Sequence, residues 1–479
     1  QSQPAQQAFS LLGNTLPRMV DPRINLNNQP WSLPTVFDGL TGSLRWRQEL
    51  NADWRLTVQM GQQRLRTDDR IAFAYGKFDP VSYDCDPCDR FAANGTFSIW
   101  DYRSENERRN TVAASAALQG RVRWGGMRHD VQLSALQSRQ TIDLQPQAYN
   151  LVGVGNVQGT AIVPADPTPY DASTNRKENS RELALQDAWE LNSRLTAWLG
   201  ARLSQLDRNS IRTDGTRATH EGRSLTTPWA ALSVRLSPEV MGYISQGQGV
   251  ETQVVPNKPS QYSNAGQALP ALKSNQTEMG LRGSIAPASG LSWQWQMALF
   301  SIERPTSNLD ACANLGISPC KGRIDGSERH RGLEAGANVI QGALSAGVSG
   351  TWLNAQRLGS TEQPELNGKR PTNVPSQVLR ANAQWLLDAQ GLNAIQAFFT
   401  REGPRDILPD NSITLPAWNR VDLSVRHALT LAGTRSTVQF SVNNLLDARY
   451  WRESPYQFGH AYLYPGAVRT FRVSLQASI

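Results

Sequence analysis

The four cysteines form two close pairs, and their spacing is the sharpest chemical signal in the chain. Cys85 and Cys88 stand in Asp-Cys-Asp-Pro-Cys-Asp, and Cys312 and Cys320 bracket a short polar segment. Such pairs can staple a loop, bind zinc or cycle between thiol and disulfide. Zinc would need two further ligands, and no Cys or His pair lies nearby in sequence. A redox CxxC usually opens a helix, which this Pro-containing loop sequence does not resemble. The five histidines, His129, His220, His330, His427 and His460, are isolated from one another, so no metal site is expected and each reads as solvated or hydrogen-bonded. No GxSxG elbow, P-loop or HExxH is present, so no enzyme is expected. Tyr83, Trp100, Tyr102, Tyr262, Tyr456, Tyr462 and Tyr464 lie in polar segments. Rings near Arg suit a bulky metal chelate, or they form an interfacial girdle.

The elements that must position these residues are strands. Phe471, Val473, Leu475, Ala477 and Ile479 are apolar, and Thr470, Arg472, Ser474, Gln476 and Ser478 between them are polar. Strand side chains alternate between two faces, so this segment has one apolar and one polar face. The same dyad runs through Trp54 to Met60, Leu291 to Leu299, Leu333 to Val339 and Leu379 to Leu387. About seventeen such segments occur, many near the roughly ten residues a tilted strand needs to cross a bilayer. On strict alternation, Trp54, Leu56, Val58, Phe471, Val473 and Leu475 face lipid, and Arg55, Thr57, Arg472 and Ser474 face a polar lumen.

Connections alternate as well. Short ones fall near Asn51, Trp124-Gly125-Gly126, Asn192-Ser193, Ser237-Pro238, 286–290, Gln341-Gly342 and Gln390-Gly391. Long polar ones fall near 67–96, 144–177, 249–275, 305–327, 357–375 and 446–466. Long loops at one end and short turns at the other are the mark of an outer-membrane β-barrel, and a soluble sandwich has no physical reason to keep them so. The expected fold is all-β, a transmembrane antiparallel barrel. No apolar run approaches the roughly eighteen residues of a membrane helix. The mean hydropathy of -0.47 is no obstacle, because half of each strand faces the lumen. The net charge of +7 is modest, and its Arg residues are scattered, so no nucleic-acid partner is expected. With the long loops outside the cell, the oxidising compartment and even count predict two intraloop disulfides, Cys85–Cys88 and Cys312–Cys320.

The last third carries a family resemblance. Val442-Asn443-Asn444-Leu445-Leu446-Asp447-Ala448-Arg449-Tyr450 resembles the VxNLFDxxY-type motif of TonB-dependent outer-membrane receptors, and Tyr462 to Ile479 resembles their closing strand. That family ends in Phe, where Ile479 stands here. Glu278 to Gly283, Leu299 to Ile302, Arg331 to Glu334, Gly368 to Pro375 and Leu415 to Trp418 with Asp422 resemble further family segments, in family order. The resemblance is strong over 240–479; 40–240 matches mainly by strand pattern.

The resemblance implies plugged barrels of about 22 strands, engaged by a TonB-type energy-transducing protein through a segment N-terminal to the barrel. Residues 1–40 read as a loop or N-terminal remnant and 41–479 as barrel. Neither a plug nor a signal peptide is recognisable, so the chain is expected to be a truncated receptor whose parent imports a ferric siderophore. No cofactor is expected. The alternatives are a passive or adhesin-like pore, or a receptor for cobalamin, haem or an oligosaccharide; haem lacks its usual loop motifs. Extending the register of 291–299 puts Arg304 on the inward row at the outer rim, with Glu328 and His330 beside it on the next strand. These three and Tyr243 are the ligand-side candidates.

Overall fold

The computed structural model describes the chain apart from residues 1, 4–7, 80–83, 86, 170–171, 288–289, 310–311, 313–318, 432, 458 and 478–479, and apart from the side chains of 2, 3, 79, 84 and 85. One antiparallel wall is built from β1 (Thr35–Glu49), β2 (Trp54–Tyr75), β3 (Thr96–Trp124), β4 (Met127–Asp143), β5 (Thr174–Glu190) and β6 (Leu195–Arg212). It goes on through β7 (Thr219–Arg235), β8 (Val240–Glu251), β9 (Leu272–Ile285), β10 (Leu291–Ser307), β11 (Ile324–Gln341) and β12 (Leu344–Leu358). It ends with β13 (Gln377–Leu386), β14 (Asn393–Glu402), β15 (Trp418–Leu431), β16 (Thr434–Asn443) and β17 (Thr470–Ala477). Ala148–Asn156 continues β4 upward against β3, after a break at Leu144 to Gln147. Each strand pairs with the next in sequence, as up-and-down hairpins do.

The register follows from the dyad. Trp54, Leu56, Val58 and Met60 stand opposite Gly120, Leu118, Ala116 and Ala114, so one face of β2–β3 is continuously apolar. Arg55, Thr57 and Gln59 stand opposite Gln119, Ala117 and Ser115 on the other face. At the chain's end Phe471, Val473 and Leu475 pair with Val442, Phe440 and Val438, while Arg472 and Ser474 pair with Ser441 and Gln439. The expected inward and outward sets therefore share faces as predicted. Turn chemistry sets the short-turn end. Gly125 and Gly126 have φ of +61° and +78°, the two positive values that a two-residue β3–β4 hairpin takes to match strand twist. Elsewhere the Oδ1 atoms of Asn51 and Asn192 each accept two backbone N–H groups of the following turn.

The packed core lies at the long-loop end. Phe9, Leu11, Leu26, Phe91, Phe97 and Leu463 are fully buried there in one cluster. Phe9 and Leu463 exchange backbone hydrogen bonds of 3.0 and 2.7 Å, and Trp451 Nε1 donates to the Pro17 carbonyl at 3.1 Å. Segments from the two ends of the sequence are thus pinned together, which requires the wall to curl. Among the described residues β1 and β17 do not pair with each other. β1 is bonded to β2 and, at Thr35 and Val36 only, to Ser2–Gln3; β17 is bonded to β16.

Three boundaries differ from the sequence expectation. β1 begins at Thr35, within the segment read as loop. β2 extends to Tyr75 and Ala148–Asn156 is paired, although both stretches read as loop. Both faces of these strand ends carry polar residues or loop contacts, so the apolar–polar dyad fades while the backbone pairing persists.

Candidate functional site

Two arrangements of side chains stand out at the long-loop end. The first is a charged rim on the polar face of β8–β12. Arg304, Glu328 and Arg357 are direct cross-strand partners on β10, β11 and β12. Arg304 Nη2 donates to Glu251 Oε2 at 2.6 Å, Arg357 Nε lies 3.8 Å from Glu328 Oε1, and His330 Nε2 lies 3.4 Å from Glu328 Oε2. Basic and acidic groups alternate along the row, so the rim is rich in both hydrogen-bond donors and acceptors but nearly balanced in charge. The structure brings together three of the four candidates, Arg304, Glu328 and His330. Sequence reading missed Glu251 and Arg357, which only the cross-strand register places there.

Tyr243 lies elsewhere on the same face. It pairs with Gly280, which pairs with Ala298, six residues below Arg304 on β10 or about 20 Å along the strand. Its hydroxyl donates to Glu278 Oε1 at 2.5 Å. Its ring covers Gly280, where an added Cβ would meet it at 2.6 Å.

The second arrangement is a ring cluster under the loops. Phe73 lies 6.0 to 6.4 Å from the rings of Tyr75, Tyr102, Tyr149 and Tyr462, and Trp100 stacks on Tyr149 at 4.8 Å. Of the loop aromatics singled out from sequence, Trp100, Tyr102 and Tyr462 meet here. Tyr262 is buried in a separate cluster, and Tyr456 and Tyr464 are half-buried. Tyr83 and Ile479 lie outside the described residues. Phe73, Tyr75 and Tyr149 were missed because they sit on strand ends rather than in turns.

His460 corrects an expectation. It is not solvated: it is fully buried, 4.7 Å from the Tyr75 ring and 4.5 Å from that of Tyr462. Neither of its nitrogens, nor the Tyr462 hydroxyl, has a hydrogen-bond partner among the described residues. Burial pushes its imidazole down to about 3 and pushes the Tyr462 phenol up. The other histidines do find partners, such as His129 with Asp187 at 2.7 Å and His427 with Asn393 at 2.7 Å. Among the described residues no three His, Cys, Asp or Glu gather as a metal site.

Cys312 and Cys320 form a disulfide with Cα atoms 5.5 Å apart. The Cys320 backbone bonds Gln261 and Ser263 of the neighbouring loop, so the bridge holds two loops in register. Cys88 is disulfide-bonded, and the side chain of its expected partner Cys85 lies outside the described residues.

Known proteins place this architecture. A family model described as TonB dependent receptor-like, beta-barrel, matches residues 2–445. The ferrichrome receptor FcuA of Yersinia enterocolitica is 25% identical over 389 residues, covering 76% of this chain and 48% of the relative. The metal-pseudopaline receptor CntO of Pseudomonas aeruginosa is 22% identical over 327 residues, covering 65% of this chain and 42% of the relative. The chain therefore spans about half the length of the curated relatives it matches. Among solved structures, BauA, the ferric preacinetobactin receptor of Acinetobacter baumannii, superposes with a TM-score of 0.78 at 18% identity, over 99% of this chain and 67% of that one. The ferric-catecholate import receptor Fiu of E. coli follows at 0.76 and 14%, over 98% and 69%. At these identities the likeness is one of fold. With the family model matched along nearly the whole wall, the chain belongs to the TonB-dependent receptor-like β-barrel family, a family of outer-membrane transporters rather than enzymes.

Proposed function

We propose that this barrel belongs to a receptor that binds a ferric siderophore at the extracellular mouth and imports it with energy from a TonB-type partner. The observation that carries the reading is the 25% identity to a ferrichrome receptor over 76% of the chain. The rim chemistry supports it and narrows the cargo. Glu251, Arg304, Glu328 and Arg357 pair positive with negative groups, and His330 adds a polar ring. A tris-hydroxamate ferric complex is uncharged and presents many carbonyl and N–O oxygens, which such a balanced row can hydrogen-bond. A tris-catecholate complex is strongly anionic and would meet Glu251 and Glu328 at a cost. The reading therefore favours a hydroxamate chelate, with Arg304, Glu328, His330 and Arg357 as its rim contacts and Tyr243 deeper on the path.

The test is growth of a receptor-null strain under iron limitation, with ferric hydroxamates and catecholates supplied singly. The complete gene is expected to restore growth on a hydroxamate, and the double variant Arg304→Ala with Arg357→Ala to raise the half-saturating concentration about tenfold. Growth on none of these chelates, or import that persists when the membrane energy source is removed, would overturn the proposal.

A further inference from the structure

The polar face of β3–β7 carries a second charged group, separate from the rim on β8–β12. One row near the long-loop end reads Arg109, Ile142, Arg176 and Ser210 across β3 to β6. The next row towards the short turns reads Thr111, Gln140, Glu178, Arg208 and Glu221 across β3 to β7. Neighbouring strands lie about 4.8 Å apart, so the backbones of Arg109 and Arg176 are on the order of 10 Å apart. Arg208 is the diagonal neighbour of Arg176, about 7–8 Å away.

Arg176 differs from the arginines around it. Arg109 Nη2 donates to Glu107 Oε2 at 2.6 Å, Arg208 Nη2 lies 2.7 Å from Glu178 Oε2, and Arg223 lies against Glu221. Towards the loops, Arg212 donates to the Asn257 carbonyl and Arg217 to Asn257 Oδ1. Arg176 is half-buried, and its Nε is buried without an acceptor. Its guanidinium makes no ion pair or hydrogen bond among the described residues. Arg208 and Arg109 repel it, and Glu178, which attracts it, is already held by Arg208. Glu107 is engaged as well, by Thr67 and Ser104 in addition to Arg109. Four arginines, Arg109, Arg176, Arg208 and Arg223, thus face three glutamates, and the surplus positive charge is centred on Arg176.

We infer that Arg176, with Arg109 and Arg208 beside it, binds one free carboxylate on an arm of the chelate, apart from its iron-binding oxygens. The inference rests on the reading of the rim as a ferric-hydroxamate site and narrows it to a hydroxamate that carries a free acid. A planar carboxylate matches the guanidinium fork with two parallel hydrogen bonds. Its single negative charge balances the single surplus positive one. A dianionic phosphate or a tris-catecholate core would exceed that surplus and press against Glu178 and Glu221. An uncharged arm would leave a half-buried guanidinium beside two like charges without a counter-ion. The chelate would then be oriented by hydrogen bonds to its core at the rim and by charge at Arg176, five strands round the wall from Arg304.

The test uses the complete receptor in detergent, titrated by tryptophan fluorescence with two ferric tris-hydroxamates. One carries a terminal carboxylate, and the other is its methyl ester. The acid is expected to bind at least tenfold more tightly than the ester. Arg176→Gln should weaken the acid about tenfold and leave the ester unchanged, and unchanged ester binding also reports an intact fold. Arg176→Lys should keep part of the preference, since it keeps the charge and loses the fork. Arg202→Ala, on the same face of β6 and 3.5 Å from Glu182, should leave the preference as it is. Equal binding of acid and ester by the unaltered receptor would overturn the inference and leave the hydroxamate reading standing. Equal weakening of both probes by Arg176→Gln would assign Arg176 a structural role and overturn it too. Binding of neither probe would remove the hydroxamate reading itself, and the inference with it.

Discussion

His460 is a neutral ring held in an apolar cluster, and its sign of pH dependence follows. Its folded value lies near 3, below the 6.5 of an ordinary histidine, so the unfolded chain takes up the proton first. The stability of the loop cluster is full above about pH 6.5 and falls as the pH drops towards 3, by at most about 1.4 kcal/mol per unit. His460→Phe is expected to flatten this slope, measured as hydrogen exchange of the Phe9–Leu463 pair against pH. An equal slope in the variant would show that other groups carry it. Asn444 shows what the family motif does physically. It has φ of +53°; its N–H donates to Asp422 Oδ1 at 2.7 Å, and its side chain bonds Ala448 and the Ala467 carbonyl. Asn444→Ala removes buried bonds from a left-handed residue and should cost about 2–3 kcal/mol, read by denaturant titration. A loss below about 0.5 kcal/mol would mean that the turn is held by Asp447 alone.

The strands and loops make separate demands. The Trp54 ring lies over Gly120 on the neighbouring strand, where a Cβ would approach it to 2.3 Å. Gly120→Val should displace the ring and destabilise the β2–β3 pair by about 1–3 kcal/mol, measurable as a lower heat-dissociation temperature on electrophoresis. An unchanged temperature would mean that the ring rotates away freely. Among the loops, Cys312–Cys320 closes a span of eight residues. Replacing both by Ser should release about 2.5 kcal/mol of chain-entropy restraint. The effect should appear as faster exchange at Tyr262 and Ser263, which pack on the bridge, with the β10–β11 wall unaltered. Slow exchange at both would show that the loops hold themselves.

For the whole molecule, β1 and β17 matter most, because among the described residues neither has a full set of partners. β1 and β17 both run from the long-loop end to the short-turn end, so they cannot pair antiparallel with each other. Closing the ring takes an odd number of further antiparallel strands between them. An unpaired backbone group in lipid costs several kcal/mol, so these edges are the least stable lines of the wall. For residues 1–479 alone, the free-edge amides of β1 and β17 are expected to exchange far faster than those of β3 or β6. Protection equal to that of β3 would show that the edges find a partner in the isolated chain.

Sequence alone determined the strand dyad, its faces and the one-sided loop lengths, because period-two alternation is written residue by residue wherever one face meets lipid. Trp54 to Met60 and Phe471 to Leu475 needed nothing more. It also placed Arg304, Glu328 and His330 on one face, because that follows from counting along a strand. It lost the ends of β2 and the continuation of β4, where neither face meets lipid and the dyad has no physical cause. Only the tertiary structure decided which strands stand side by side at which height. That register put Arg357 and Glu251 beside Arg304, separated Tyr243 from them, and gathered Phe73, Tyr149 and His460 from distant segments into one cluster. Such neighbours are set by hydrogen bonding across the wall and by loop packing over hundreds of residues, and no local pattern records them.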